Sequence, residues 1–268
     1  QEDVFFLGYP DKGLASMWHE HWSSSNPYLS RFTRTYETPY INSYRPTTLY
    51  SGEDIVRDLE DIIGKVRPTI ILTASPVDMH PDHWATYNFT LYAICDLEER
   101  GLLPSPKPRI LWYLTHRGDW PHPKGFHPDM ELVPPKGLTG IGLPWFSYQL
   151  SDGAVSAKGE AIRMYRSQVS IMANYLLSFA RRTELFVETS LSPVAEVPYP
   201  GLVIDGRLDD WPPDTEEMKE PTADAMMRKA EGGGDFTSVL AAKDGTNLYL
   251  AINFRTAASR EMLYRIHL

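Results

Sequence analysis

The sequence predicts an α/β fold built on a parallel sheet, and residues 51–115 carry that prediction. Two short apolar runs, 69–74 and 109–114, are typical of buried strands. Helical patterns precede the first run, over 51–67, and separate the two runs, over 84–100. Because strands that alternate with helices pair in parallel, this stretch predicts a parallel sheet with flanking helices.

The first of these helices has clear boundary signals. Ser51 can accept a hydrogen bond from a backbone N–H of the first turn, and Asp54 stands three residues later, as in a capping box. Pro68 cannot continue a helix and should end it.

The segments on either side of this stretch are less regular. Residues 3–8 have the apolar pattern of a strand, and 15–50 predict an irregular, aromatic-rich lid or packed insertion with one short helix. Further along the chain, 154–181 predict one long helix and 184–187 a short strand.

The texture of the chain changes after a Pro-rich linker over residues 192–201. The runs 237–242 and 247–252 flank a short turn and predict a β-hairpin, within a partial C-terminal β-sandwich. We therefore expect two domains, over 1–191 and 202–268.

Composition excludes several classes of protein. The chain has 268 residues, of which 42% are apolar, and this argues against global disorder. A net charge of -9 disfavours nucleic acid as a partner. A lone cysteine, Cys95, rules out an internal disulfide and a cysteine-based metal site, and no apolar run is long enough for a membrane span. Because the chain opens at Gln1, almost inside a predicted strand, we expect a fragment. Compartment and oligomeric state stay open.

The segment His80-Pro81-Asp82-His83 lies between the first predicted strand and the helix that follows it. In α/β sheets, ligands bind in the crevice beyond the carboxyl ends of the strands. A hydrolytic zinc site uses three His or carboxylate ligands, with a nearby imidazole as acid. The plainer interpretation is a helix start capped by Asp82, with two histidines in a polar loop.

His116 follows the second predicted strand and has two interpretations. It lines the same crevice as His80, or it makes a structural hydrogen bond in its loop. From the sequence alone we favour the structural hydrogen bond.

Five segments of the chain, in order, resemble the PIG-L/LmbE family of zinc-dependent de-N-acetylases over residues 1 to about 190. These segments are Phe6–Leu14, Tyr50–Asp54, Val66–Pro68, His80–Ala85 and Tyr165–Gln168. The resemblance implies a Rossmann-like α/β domain that hydrolyses an N-acetyl group on an N-acetylglucosamine-type or related amide. The substrate would be a small amino sugar or glycoconjugate.

The resemblance also implies roles for individual residues. His83 corresponds to a zinc ligand, and His80 to the histidine that assists at the oxyanion or the leaving group. Asp82 would hold His80, and Asp11 would lie beside the sugar pocket.

The chain departs from the family in one respect. The family's first motif, Ala-His-Pro-Asp-Asp-Glu, which carries two metal ligands and the general base, is absent. We therefore expect two further zinc ligands from outside this chain, a catalytic domain incomplete at its N-terminus, and little or no activity of this chain alone. The alternative is a non-catalytic carbohydrate-binding protein with a degenerate deacetylase fold.

The C-terminal stretch resembles the start of a family 9 carbohydrate-binding module. The resemblance lies in Ile204–Pro212 and in Lys243–Leu250. It implies a β appendage, with or without affinity for sugar.

Overall fold

The structure, a computed structural model, describes residues 4–118, 120–139, 143–189, 193–198, 201–213, 215–219 and 236–258. The chain divides into two compact units. The first comprises Gln1–Pro134 and Pro144–Thr189, and the second comprises Pro135–Leu143 and Ser190–Leu268.

The first unit contains the helices and strands that the sequence predicts for residues 51–115. In chain order its elements are α1 (Leu14–His19), α2 (Gly52–Val66), β1 (Ile70–Ala74), α3 (Pro81–Glu99), β2 (Arg109–Tyr113), β3 (Trp145–Gln149), α4 (Asp152–Met164), α5 (Arg166–Leu177) and β4 (Thr183–Thr189). The single short helix expected within 15–50 corresponds to α1.

The sheet of this unit is mixed, with the strand order β1-β2-β4-β3. β1 and β2 are parallel, and Ile71 lies opposite Ile110. β4 pairs antiparallel with both β2 and β3. The expected parallel pairing therefore holds for β1 and β2, whereas a wholly parallel, Rossmann-like sheet is not confirmed. Residues far apart in sequence, such as Trp112 and Val187, form the antiparallel pairs, and local patterns do not report their direction.

Two other expectations are wrong. Residues 4–8 form no strand; they run as irregular chain, tied by the hydrogen bond from the Tyr44 N–H to the Phe6 carbonyl, 2.6 Å. The long helix expected over 154–181 is two helices, because the backbone at Tyr165 leaves the helical region (φ -78°, ψ 63°).

Across the described parts of the chain, no helix is both long enough and apolar enough to cross a membrane.

The apolar core of the first unit lies between the helices and the sheet. Phe89, Ala93 and Ile94 of α3 are fully buried and pack with Ile55 and Ile63 of α2. α3 therefore has its middle in the core, which leaves its N-terminal turn at the edge of the sheet where β1 ends.

The boundaries of α2 follow from its sequence. The Ser51 side chain accepts the Asp54 N–H at 3.2 Å and donates to the Asp54 carboxylate at 2.5 Å. Arg67 ends the helix in a left-handed conformation (φ 50°), immediately before Pro68. The predicted cap and stop are both confirmed.

The second unit contains a short 3-10 turn, Lys136–Leu138, and one described sheet. The strands of the sheet are β5 (Ala195–Glu196), β6 (Glu216–Lys219), β7 (Phe236–Lys243) and β8 (Leu248–Phe254). β7 and β8 form the predicted hairpin. β8 pairs along the whole of β7, so β5 and β6 share the opposite edge of β7. β5 falls within the expected linker, and a second sheet is not among the described residues.

We predict that Ser51→Ala lowers the free energy of unfolding by about 1 kcal/mol, because a buried Asp54 N–H loses its acceptor. Urea unfolding monitored by circular dichroism measures this change. Ser156→Ala, at an exposed position within α4, is the control and should change stability by less than ~0.5 kcal/mol. Equal effects of the two substitutions would contradict the cap.

Candidate functional site

The candidate site lies at one edge of the sheet, where the parallel strands β1 and β2 both end. Asp78 and His80 follow β1, His83 is in the first turn of α3, and His116 follows β2. Since β1 and β2 are parallel, their carboxyl ends meet at the same edge, so the chain brings these residues together.

The carboxylate of Asp78 connects the two loops at this edge. One oxygen, Oδ2, accepts the N–H groups of Thr115 at 3.0 Å and His116 at 2.8 Å. The other oxygen, Oδ1, accepts the His80 N–H at 2.9 Å. The side chain of Asp78 is fully buried, so its charge depends on these donors for the stabilisation that water would otherwise provide.

Three imidazoles surround this carboxylate. The ring centroids of His80, His83 and His116 lie 4.7 to 5.2 Å from one another. The Nδ1 atom of His83 is 3.2 Å from Oδ2 of Asp78, and Nδ1 of His116 is 3.7 Å from Oδ1. The structure therefore places the His116 ring in the crevice with His80, and the His116 backbone N–H makes a structural hydrogen bond to Asp78.

His80 is the N-terminal cap of α3. Its Nδ1 accepts the Asp82 N–H at 3.2 Å, and Pro81 fills the first helical position. An acceptor Nδ1 leaves the proton of a neutral His80 on Nε2. That Nε2 faces the Asp11 carboxylate at 4.0 Å. The helix cap thereby selects the tautomer of this imidazole.

The resemblance implied that Asp82 holds His80, and in the structure the hydrogen bond between the two residues comes from the Asp82 backbone N–H. The Asp82 carboxylate binds backbone groups of another turn. Its two oxygens accept the N–H groups of Lys12 at 2.5 Å and Leu14 at 3.1 Å. Asp82 thus fastens the Gly-Tyr-Pro-Asp turn, and with it Asp11, to the start of α3. Its backbone N–H donates to the His80 ring, and a carboxylate oxygen lies within 4.8 Å of a nitrogen of that ring.

The donor atoms of Asp78, His83 and His116 fit the chemistry of a zinc ion. One carboxylate and two imidazoles are typical zinc ligands. A catalytic zinc site has three protein ligands, which is the number in this cluster. The Nδ1 atoms of His83 and His116 are 3.5 Å apart. A Zn–N distance of about 2.0–2.1 Å and tetrahedral angles give ligand atoms about 3.3 Å apart. From the sequence we expected two further zinc ligands from outside this chain, whereas this cluster contains three candidate ligands within it.

The electrostatics of the cluster suit a cation. Burial of the Asp78 carboxyl opposes ionisation, but its bond with His83 and its backbone donors together lower its pKa to about 2. Burial, followed by the neighbouring imidazole of His83, lowers the pKa of His116. At neutral pH the site therefore contains a carboxylate and a neutral His116 imidazole with a lone pair to donate.

The sequence analysis missed Asp78, although a signal for it was present. Asp78 follows β1 by four residues, at the sheet edge that directed attention to His80. The turn over 75–78, in which the Ser75 hydroxyl accepts the Val77 N–H at 3.1 Å, places the Asp78 carboxylate beneath the histidines. Sequence patterns do not report such a turn as a ligand position.

The fold and the site define a mixed α/β protein with a histidine and carboxylate cluster at the ends of two parallel strands. The PIG-L family model, described as GlcNAc-PI de-N-acetylase, matches residues 1–94. The matched part includes Asp11, Asp78, His80 and His83, and ends before His116. The match supports a deacetylase-type hydrolase for this part of the chain.

Among solved structures, one is described as "The crystal structure of antimicrobial reagent A40926 pseudoaglycone deacetylase Dbv21". It is 21% identical, the comparison covers 68% of this chain and 81% of that chain, and the TM-score is 0.35. A similarity this low carries no argument about this chain. No curated protein matches the sequence.

We predict that Asp78 makes the stability of the metal-free protein depend on pH below about 4. Its folded pKa of about 2 lies below the unfolded value of about 3.9. The contribution, on the order of 2 to 3 kcal/mol, is complete above the unfolded pKa and disappears as pH falls through the folded one. Urea unfolding in EDTA at several pH values tests this.

The substitution Asp78→Asn tests whether Asp78 is the titrating group. It should make the free energy of unfolding depend less on pH below about 4. The exposed Asp129→Asn removes a carboxylate elsewhere and should leave the wild-type profile in place. A profile of Asp78→Asn as steep as that of the wild-type protein would show that Asp78 is not the group that titrates.

Proposed function

We propose that this protein is a metal-dependent N-deacetylase that hydrolyses an N-acetyl group on an amino sugar or related amide. The observation that carries the proposal is the cluster of Asp78, His80, His83 and His116 at the strand ends. Three of these four residues fall within the segment that matches the de-N-acetylase family. Family similarity and donor chemistry thus point to the same edge of the sheet.

We assign the zinc ligands as His83, His116 and Asp78. Their donor atoms converge, and the ligand number leaves a coordination position open. When bound, zinc lowers the pKa of a coordinated water and polarises the amide carbonyl. The 3.2 Å separation of His83 Nδ1 and Asp78 Oδ2 would also suit a different ligand set, in which His83 donates its Nδ1 proton to Asp78 and binds the metal through Nε2, with Asp78 orienting the ring rather than binding the metal.

His80 is the acid in this proposal. Its Nδ1 is occupied by the Asp82 N–H, so Nε2 is the atom that holds the proton. Nε2 lies on the side of the ring that faces Asp11. Singly protonated, the ring can donate a hydrogen bond from Nε2 to the oxyanion. Doubly protonated, which displaces the Asp82 N–H from Nδ1, the ring can pass the Nε2 proton to the amine that leaves and return to the neutral form.

Asp11 is assigned to the amino-sugar side of the site. Its side chain is 63% exposed, so it is accessible to a ligand. Two backbone bonds to Asp82 hold the adjoining residues, and this keeps the exposed carboxylate close to His80 without burying it. A carboxylate in such a position can accept hydrogen bonds from sugar hydroxyls.

We predict that the metal-reconstituted chain binds about one zinc and that His83→Ala and His116→Ala lower its zinc affinity at least ~tenfold. Mass-spectrometric metal analysis after dialysis measures this. His122→Ala, an exposed histidine outside the cluster, is the matched control and should bind zinc like the wild-type protein. Equal zinc content in His83→Ala and His122→Ala would overturn the ligand assignment.

We predict that His80→Gln retains zinc but releases acetate from N-acetylglucosamine derivatives ~10²- to 10⁴-fold more slowly, because the acid is lost. Acetate release is measured on the same zinc-loaded samples. Zinc binding without hydrolysis of any such amide, both by this chain and by a version extended at its N-terminus, would contradict the deacetylase proposal. Sugar binding without hydrolysis would favour the non-catalytic carbohydrate binder.

A further inference from the structure

We propose that the apolar cavity beside the histidines binds the acyl side of the substrate, and that it accepts linear acyl chains longer than the acetyl group. The inference rests on the proposed function for the position of the amide. It adds a specificity that depends on side chains outside the zinc ligands and the acid.

The cavity has a volume of about 430 Å³. His80 and His116, with the adjoining Arg117 and Gly118, line it together with Met79, Met172 and Tyr175, and most of its surface is apolar. The Met79 N–H donates to the His116 carbonyl at 2.9 Å, which holds the methionine beside the site. The alkyl-binding surface thus begins directly at the imidazoles.

The apolar side chains of this cavity are open to a ligand. Met79 is 71% and Met172 is 39% exposed. Tyr175 directs its hydroxyl to the Thr115 carbonyl, so its polar atom is occupied and its ring remains as a lining surface 6.4 Å from the ring of His116. Unbranched, polarisable methionine side chains adapt to alkyl ligands of variable length.

His80 separates a polar side of the site from this apolar side. Asp11 and Asp82 come close to His80, yet neither is among the described residues that line the cavity. An amide has one substituent on nitrogen and one on carbon. When the amide lies across His80, the hydroxyl-bearing sugar fits the side of Asp11, and the alkyl substituent fits the side of the methionines.

The apolar surface extends beyond the first cavity. A second cavity, of about 470 Å³, shares Met172 and Tyr175 with the first and continues along α5 past Val169 and Ile171, and its lining also includes the polar residues Lys124, Ser170 and Asn174. Ile171 is 83% exposed. The shared Met172 lies where α5 leaves the helical conformation (φ -134°, ψ 36°). An acetyl group would use only the beginning of this surface, whereas a longer chain would cover it.

Binding is tested without turnover, in EDTA, with N-acetyl-, N-butanoyl- and N-octanoylglucosamine. The protein is labelled with ¹³C at the methionine methyl groups, and the signals are assigned with Met79→Leu and Met172→Leu. We expect the octanoyl compound to shift the Met79 and Met172 signals and to bind at least ~tenfold more tightly than the acetyl compound, because each buried methylene adds affinity. The signals of Met130 and Met164, which lie outside both cavities, should not move.

Matched variants locate the effect. Met172→Ser should lose the preference for the octanoyl chain, whereas Met130→Ser, at a position 41% exposed, should keep it. Met79→Ser and Met164→Ser form a second matched pair, with 71% and 70% exposure. Affinity that does not rise with chain length, or equal losses within each pair, would overturn the apolar subsite.

Hydrolysis of the same three compounds by zinc-loaded protein separates this inference from the proposed function. Binding that depends on chain length, without hydrolysis of any compound, would contradict the deacetylase proposal and support the apolar subsite. Hydrolysis of the acetyl compound, with binding that does not depend on chain length, would support the deacetylase proposal and contradict the apolar subsite. Both proposals together predict a kcat/KM that rises from acetyl to octanoyl in the wild-type protein, and a smaller rise in Met172→Ser.

Discussion

The buried carboxylate of Asp78 is the group on which the site depends. It accepts N–H groups from His80 after β1 and from Thr115 and His116 after β2. Parallel pairing of β1 and β2 brings the two strand ends to one edge but leaves the loops beyond them unpaired. Asp78 supplies the acceptor that those backbone groups need, so one side chain sets the separation of three histidines.

The first turn of α3 adds a second constraint. Its orphan N–H groups need acceptors, and the imidazole of His80 serves as one. A helix cap of this kind uses one ring nitrogen for structure and leaves the other for chemistry. Asp82, in the same turn, fastens the turn that contains Asp11 through the N–H groups of Lys12 and Leu14. The local needs of a helix start thus position both the His80 imidazole and the Asp11 carboxylate that faces it.

Sequence patterns predicted the local features of this fold well. The Ser51 cap, the stop at Pro68 and the C-terminal hairpin each depend on residues close in sequence. The sheet direction was missed because β4 pairs with β2 through residues such as Val187 and Trp112, whose partnership no local pattern contains. For the same reason, sequence patterns did not identify Asp78 or the position of His116, because the two residues meet only where two strands lie side by side. His80 and His83 were identified because one short segment contains both.

The cluster also explains why the histidines can lie so close together. Charged imidazoles at these separations would repel one another, and burial adds a further cost for each charge. Burial and the neighbouring His83 and His80 rings lower the pKa of His116, while the ionised Asp78 works in the opposite direction. A neutral His116 beside a permanent carboxylate is the state with the least repulsion. It is also the state that a divalent cation requires of its ligands. The protonation states that minimise repulsion in the folded chain are therefore the ones that a divalent cation would need at this edge of the sheet.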